Sequence, residues 1–276
     1  MPHGLSFSMN WPGSALFGPG QCDTLGTLLA GRGQRNALII TDTGIQAAGL
    51  LARIETALAG AGVASAAYTG VEPNPTTLNV SQAHDIWHGG EFDALIALGG
   101  GSAIDTAKGV MAQIATGLEV EQAYGTDIDA GTGATPAFYA LPTTSGTGSE
   151  SSLGAVLKSS DRKFVIRGRR LQPGQVILDP ELTLSLPARM TALTGFDAYC
   201  HAIGAFANNQ TNPVADELAL HAMRLLIDWL PRAVADGADI EARAAVMTGS
   251  WLAGICIGQR GVGGIHWLST PVERRI

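Results

Sequence analysis

Charge is scarce in this chain: only 15% of its 276 residues are Asp, Glu, Lys or Arg, and the 17 basic ones form no dense run. With a formal net charge of -7, nothing supplies the cationic surface that binding to a phosphate backbone requires, so nucleic acid is not an expected partner. Cysteine is scarcer still. Cys22, Cys200 and Cys256 are odd in number and far apart, which makes no disulfide framework and fits a reducing cytoplasm. Residues 1–12 hold no basic region followed by an apolar stretch, and no later run reaches about 18 uninterrupted apolar residues. Neither a signal peptide nor a membrane span is expected.

What is abundant is apolar side chain, 46% of the total, enough for a large core in one big domain or two moderate ones. From Asn36 the chain reads NALIITDTG, a β-branched run closed by a turn, and then IQAAGLLARIETALAGAG, whose apolar residues recur at helical spacing. A short strand over residues 65–68, a helix over 78–88 and a buried strand in FDALIALGGG follow, the last running into the helical SAIDTAKGVMAQIAT. Alternating strand and helix predict an α/β first half with a parallel sheet. PTTSGTGSESS is too rich in Gly, Ser and Thr for regular structure and reads as a loop held over a site. GAVLKSSDRKFVIRG has the pattern of a hairpin. Beyond it, three helical segments break at Asn212–Pro213 and Gly237. The expected domains are 1–183, α/β, and 184–276, all-helical.

Three features could carry chemistry. Gly99-Gly100-Gly101-Ser102 lies between an apolar strand and a helix, where backbone N–H groups and the helix dipole can receive a phosphate. A plain glycine turn is the alternative, since the spacing is not G-x-G-x-x-G. Asp42 ends the first strand, where it could accept hydrogen bonds from a ribose and repel a 2′-phosphate, or could simply open a turn. Asp197 and His201 stand four apart on a helix, so both project from one face and could share a divalent metal, with His266 following a Gly-rich break. A capping Asp and a packed His would look the same. His3, His84, His88 and His221 read as surface or packing residues, and Cys200 has no partner base that would make it a nucleophile.

Taken together, LIITDTG, EPNP, ALGGGSAIDTAK, PTTSGTGSE, ILDPELTLSLP, TGFDAYCHAI and GVGGIH resemble, in order, the iron-containing (group III) alcohol dehydrogenases. The resemblance implies a Rossmann-like parallel-sheet dinucleotide-binding domain followed by an incomplete all-helical domain, with the active site in the cleft between. By position, it puts Gly100, Gly101, Ser102 and Asp105 along a pyrophosphate and Asp42 at the adenosine ribose, favouring NAD over NADP. Asn74, Thr143, Thr144, Thr147, Val156 and Lys163 match positions lining the rest of the cofactor. Asp197, His201 and His266 match three of the family's four metal ligands, for Fe²⁺ or Zn²⁺. The implied reaction is hydride transfer between nicotinamide and a small aldehyde or primary alcohol, in a homo-oligomer without membrane attachment.

The chain also departs from that pattern. Family members continue with more helices and a fourth ligand, another His; this chain has Thr270 where a second His is common, and Gly204 where a Glu stands three residues after the first His ligand. The expectation is a helical domain cut short, exposing apolar surface, and a chain that binds NAD(H) better than it catalyses. The competing expectations are a metal-free reductase of the maleylacetate reductase type, a lyase like dehydroquinate synthase, and a non-catalytic remnant that still binds dinucleotide.

Overall fold

The computed structural model describes residues 6–210, 212–264 and 266; His3 and Thr270 lie outside the described residues. The chain divides into two compact units. An α/β unit comprises Gly13–Thr143 with Leu153–Leu182, and a helical unit comprises residues 6–12, Thr144–Ser152 and the described residues from Thr183 onward. The Gly/Ser/Thr-rich loop therefore interrupts the α/β unit in sequence and belongs to the helical one.

The α/β unit is built on β1 (Ser14–Phe17), α1 (Leu25–Gly31), β2 (Asn36–Ile40), α2 (Thr43–Ala47), α3 (Leu50–Gly60), β3 (Ala64–Tyr68), α4 (Thr77–Gly89), β4 (Ala94–Gly99), α5 (Gly101–Thr116), β5 (Ala137–Pro142), β6 (Gly154–Lys158), β7 (Lys163–Arg167) and β8 (Gln175–Leu178). Six strands form one sheet in the order β1-β8-β5-β4-β2-β3, all neighbours parallel. A parallel sheet covered on both faces needs apolar side chains on both, and every residue of β4 is buried. β6 and β7 pair antiparallel as the expected hairpin.

The sequence pattern did not separate β1, β5 and β8 from their surroundings, because apolar runs of four to six residues carry no distinguishing period. One expected helix after β2 is in fact two. Gly49, at φ 78°, takes the left-handed conformation and ends α2 before α3 begins. α4 starts on a reciprocal cap between Thr76 and Asn79. In α5, twelve of sixteen residues are buried, so this helix is core on nearly all sides rather than amphipathic.

The helical unit packs α6 (Ala188–Phe206), α7 (Pro213–Ala235) and α8 (Ile240–Arg260) on one another. Asn212 caps α7 by accepting from Ala215 N at 3.1 Å, with Pro213 opening the helix, and Asp239 caps α8 by accepting from Ala242 N at 3.0 Å. Their shared core includes Ala198, Ala202, Ala222, Leu226, Val246 and Ala253. By length and composition α8 could cross a bilayer, but 61% of its apolar window is buried inside the protein, as befits a core helix. Leu193, Phe196 and Ile227 are exposed large apolar residues in this unit.

Candidate functional site

The helical unit gathers Asp197, His201 and His266 so that one ligand atom from each lies within 4.8 Å of the others. Asp197 and His201 sit one turn apart on α6, and His266 comes from the Gly-rich segment after α8. His266 Nε2 is 3.0 Å from Asp197 Oδ1, and His201 Nε2 is 3.9 Å from the same oxygen. The two imidazoles stack, with centroids 4.2 Å apart and planes at 13°. His201 is buried, and its Nδ1 lies 3.3 Å from the Gly146 carbonyl oxygen. A carbonyl can only accept, so Nδ1 donates and Nε2 keeps its lone pair facing the aspartate.

The electrostatics fit that arrangement. Burial, then the neighbouring His266, lower the His201 pKa against the pull of Asp197, which keeps the ring neutral. Burial works to raise the Asp197 carboxyl, but the His266 hydrogen bond and the two imidazoles outweigh it and hold the group below its usual range. One carboxylate and two imidazoles with their ligand atoms within 4.8 Å of one another are a donor set suited to Zn²⁺ or Fe²⁺. Burial and then the Asp197 charge push the Cys200 thiol up, so it stays protonated.

Two backbone contacts that sequence reasoning missed set this geometry. A Cβ at Gly204 would fall 2.9 Å from both Cα and N of Gly263. The glycine pair thus lets α6 and the segment leading to His266 touch backbone to backbone. Gly148, at φ 62°, packs against Gly254 of α8, where a Cβ would meet Cα at 2.4 Å, and so seats the loop whose Gly146 carbonyl orients His201. The signal available in the sequence was the recurrence of glycine beside each ligand: in SGTGSE, at Gly204 and in GVGGIH.

In the α/β unit, the expected cofactor residues gather at the carboxyl ends of neighbouring strands. β4 runs through Gly99, at φ 152°, into Gly100, which precedes α5 without any side-chain cap. Gly101 and Ser102 therefore open the helix without a capping side chain at Gly100. Thr143 N donates to Gly99 O at 3.0 Å, tying the end of β5 to this turn. Asp42 is the cap of α2, its Oδ1 accepting from Ile45 N at 3.0 Å, while Oδ2 lies 3.6 Å from where a Gly99 Cβ would stand. Asp42 is thus both a turn residue and a carboxylate beside the glycine turn.

The hairpin side holds the others. Asp105 Oδ2 accepts from Val156 N at 2.9 Å, so this buried carboxylate pins β6 to α5. Lys163 Nζ donates to Asn74 Oδ1 at 2.9 Å, and Asn74 takes a left-handed φ of 58°. Val156 is 46% exposed on the hairpin. Thr144 and Thr147 belong to the helical unit, where Thr147 Oγ1 accepts from Ser149 N at 3.3 Å.

Comparison with known proteins points the same way. Residues 12–180 match the family model "iron-containing alcohol dehydrogenase", and residues 191–274 match that of the family's C-terminal part. The chain is 35% identical over 263 residues to the NAD-dependent methanol dehydrogenase of Bacillus methanolicus, covering 95% of this chain and 68% of that one. It is 40% identical over 245 residues to the 4-hydroxybutyrate dehydrogenase of Cupriavidus necator, covering 87% of this chain and 63% of that one, so it spans under two thirds of that relative's length. Among solved structures, the sulfoacetaldehyde reductase of Bifidobacterium kashiwanohense in complex with NAD⁺ superposes with a TM-score of 0.92 at 30% identity, over 98% of this chain and 72% of that one. On its matching sequence, its parallel-sheet and helical units and its relatives, the chain belongs to the iron-containing alcohol dehydrogenase family.

Proposed function

We propose that this chain is an NAD(H)-dependent, metal-dependent oxidoreductase that interconverts a small primary alcohol and its aldehyde. The observation that carries the reading is the convergence of Asp197, His201 and His266 on one point in the helical unit. Bound to the chain, a divalent ion would polarise the substrate oxygen as a Lewis acid and the nicotinamide would give or take the hydride.

The chain's own part is binding, orientation and electrostatics. Gly146 holds the His201 ring in the tautomer that presents Nε2, and the Gly204–Gly263 contact fixes the approach of His266. In the α/β unit, the amides of Gly101 and Ser102 at the start of α5 receive the pyrophosphate, with Gly100 keeping the turn free of side chain. The Asp42 carboxylate accepts from the ribose hydroxyls and repels a 2′-phosphate, which selects NAD over NADP. Asp105 acts through Val156 by holding the hairpin against α5. Asn74, Thr143, Val156 and Lys163 line the remainder, and Thr144 and Thr147 contribute from the loop of the helical unit. Three free cysteines suit a cytoplasmic setting, and a homo-oligomer is the assembly we expect.

Titrating NADH by fluorescence with and without Fe²⁺ or Zn²⁺, followed by turnover on short aldehydes, tests this reading. Binding with turnover that requires metal is the expected result. Turnover unchanged by chelation would favour a metal-free reductase, binding without turnover would favour a non-catalytic dinucleotide binder, and absence of binding would overturn the cofactor assignment.

A further inference from the structure

We propose that the groove where α4 and α5 diverge in the α/β unit is a second metal site, in which His84 and His88 bind a borderline divalent ion such as Zn²⁺. It is independent of the Asp197 centre and of the function proposed above. α4 and α5 approach closely at Val80 and Gly109, where a Cβ on the glycine would fall 2.5 Å from the valine Cγ2. One turn further along each helix lie His84 and Gln113. There the helices leave a cavity of about 210 Å³ lined by His84, Trp87, His88, Gln113, Leu118 and Glu119 among others.

Two buried atoms of residues that line this cavity have no hydrogen-bond partner among the described residues: His84 Nε2 and Gln113 Oε1. Buried polar atoms are ordinarily satisfied, so a pair of orphans on residues around one small cavity needs an explanation. The other end of Gln113 is fixed, because its Nε2 donates to Glu119 Oε2 at 2.8 Å, and so its carbonyl oxygen is the end left over. In the tautomer that leaves His84 Nε2 unprotonated, both orphans are acceptors, and a cation satisfies the two together.

Spacing and charge select a metal. His84 and His88 are one helical turn apart with ring centroids 4.4 Å from each other. Two imidazole nitrogens on one Zn²⁺ stand roughly 3.3 Å apart at the usual bond length, a separation of the same order as the 4.4 Å between these ring centroids. Glu119 supplies counter-charge, and no Lys or Arg lines the cavity. Water completes the coordination.

The test uses the full chain with Asp197→Asn, His201→Ala and His266→Ala, titrated with Zn²⁺ against a chromogenic chelator. One bound equivalent is expected, weakened about tenfold or more by adding His84→Ala or His88→Ala. No bound equivalent, or an affinity unmoved by either substitution, overturns the proposal. If that background does not fold, ¹⁵N imidazole spectra of the unsubstituted chain replace it: His84 and His88 resonances shifting together as Zn²⁺ is added support the site, and unmoved resonances overturn it. NADH affinity and turnover are read separately and are unaffected by His84→Ala and His88→Ala, so failure here is distinguishable from failure of the dehydrogenase reading.

Discussion

The two units concentrate chemistry in opposite ways. In the helical unit the proposed metal centre rests on three side chains held within 4.8 Å of one another. In the α/β unit the proposed cofactor site rests mainly on backbone, the amides that follow Gly100 at the start of α5, with Asp42 serving a helix cap as well. A side-chain centre is lost with one substitution and leaves the fold standing. A backbone site tolerates side-chain loss and fails when the turn itself is forced out of shape.

The most damaging change should therefore be at a metal ligand. His201→Ala or Asp197→Ala is expected to weaken metal binding by about 100-fold or more and to abolish turnover, with circular dichroism unchanged; measured metal affinity decides it. The matching break in the α/β unit is Gly99→Ala. A Cβ there meets the Ala103 Cβ at 2.8 Å and the residue sits at φ 152°, so a cost of about 1–3 kcal/mol is expected, with the NADH dissociation constant rising about tenfold. Denaturant unfolding and NADH titration read the two effects.

Smaller effects sharpen the contrast. Gly204→Ala gains up to about 1 kcal/mol of helix propensity but forces α6 from Gly263; metal affinity should fall about tenfold while NADH binding in the α/β unit stays as it was. Asp42→Asn keeps an oxygen to cap α2, so stability should stay within about 0.5 kcal/mol, while preference for NADH over NADPH shrinks about tenfold, or about 1.4 kcal/mol. If preference does not change, Asp42 is a cap alone.

The sequence showed the alternation of strand and helix, the helical breaks at Asn212–Pro213 and Gly237, and the Asp197/His201 pair, because these rest on local period and spacing. It did not show β1, β5 or β8, which become strands only through pairing with distant neighbours, nor the break at Gly49. Likewise Asp105, placed along a pyrophosphate only by the family resemblance, was not legible as the residue that ties α5 to the hairpin. The roles of Gly146, Gly204 and Gly263 depend on approach across 50 or more residues, so the recurring glycines were visible in the sequence but their partners were not. His84 and His88, unremarkable on a helix by themselves, gain meaning from Gln113 on the neighbouring helix.

The most direct test of the metal assignment is an anomalous difference map from crystals grown with Zn²⁺. The expected result is a peak bonded to Asp197, His201 and His266 at roughly 2.0–2.2 Å, absent from the His201→Ala protein. Crystals that bind Zn²⁺ elsewhere but show no density among these three side chains would contradict it.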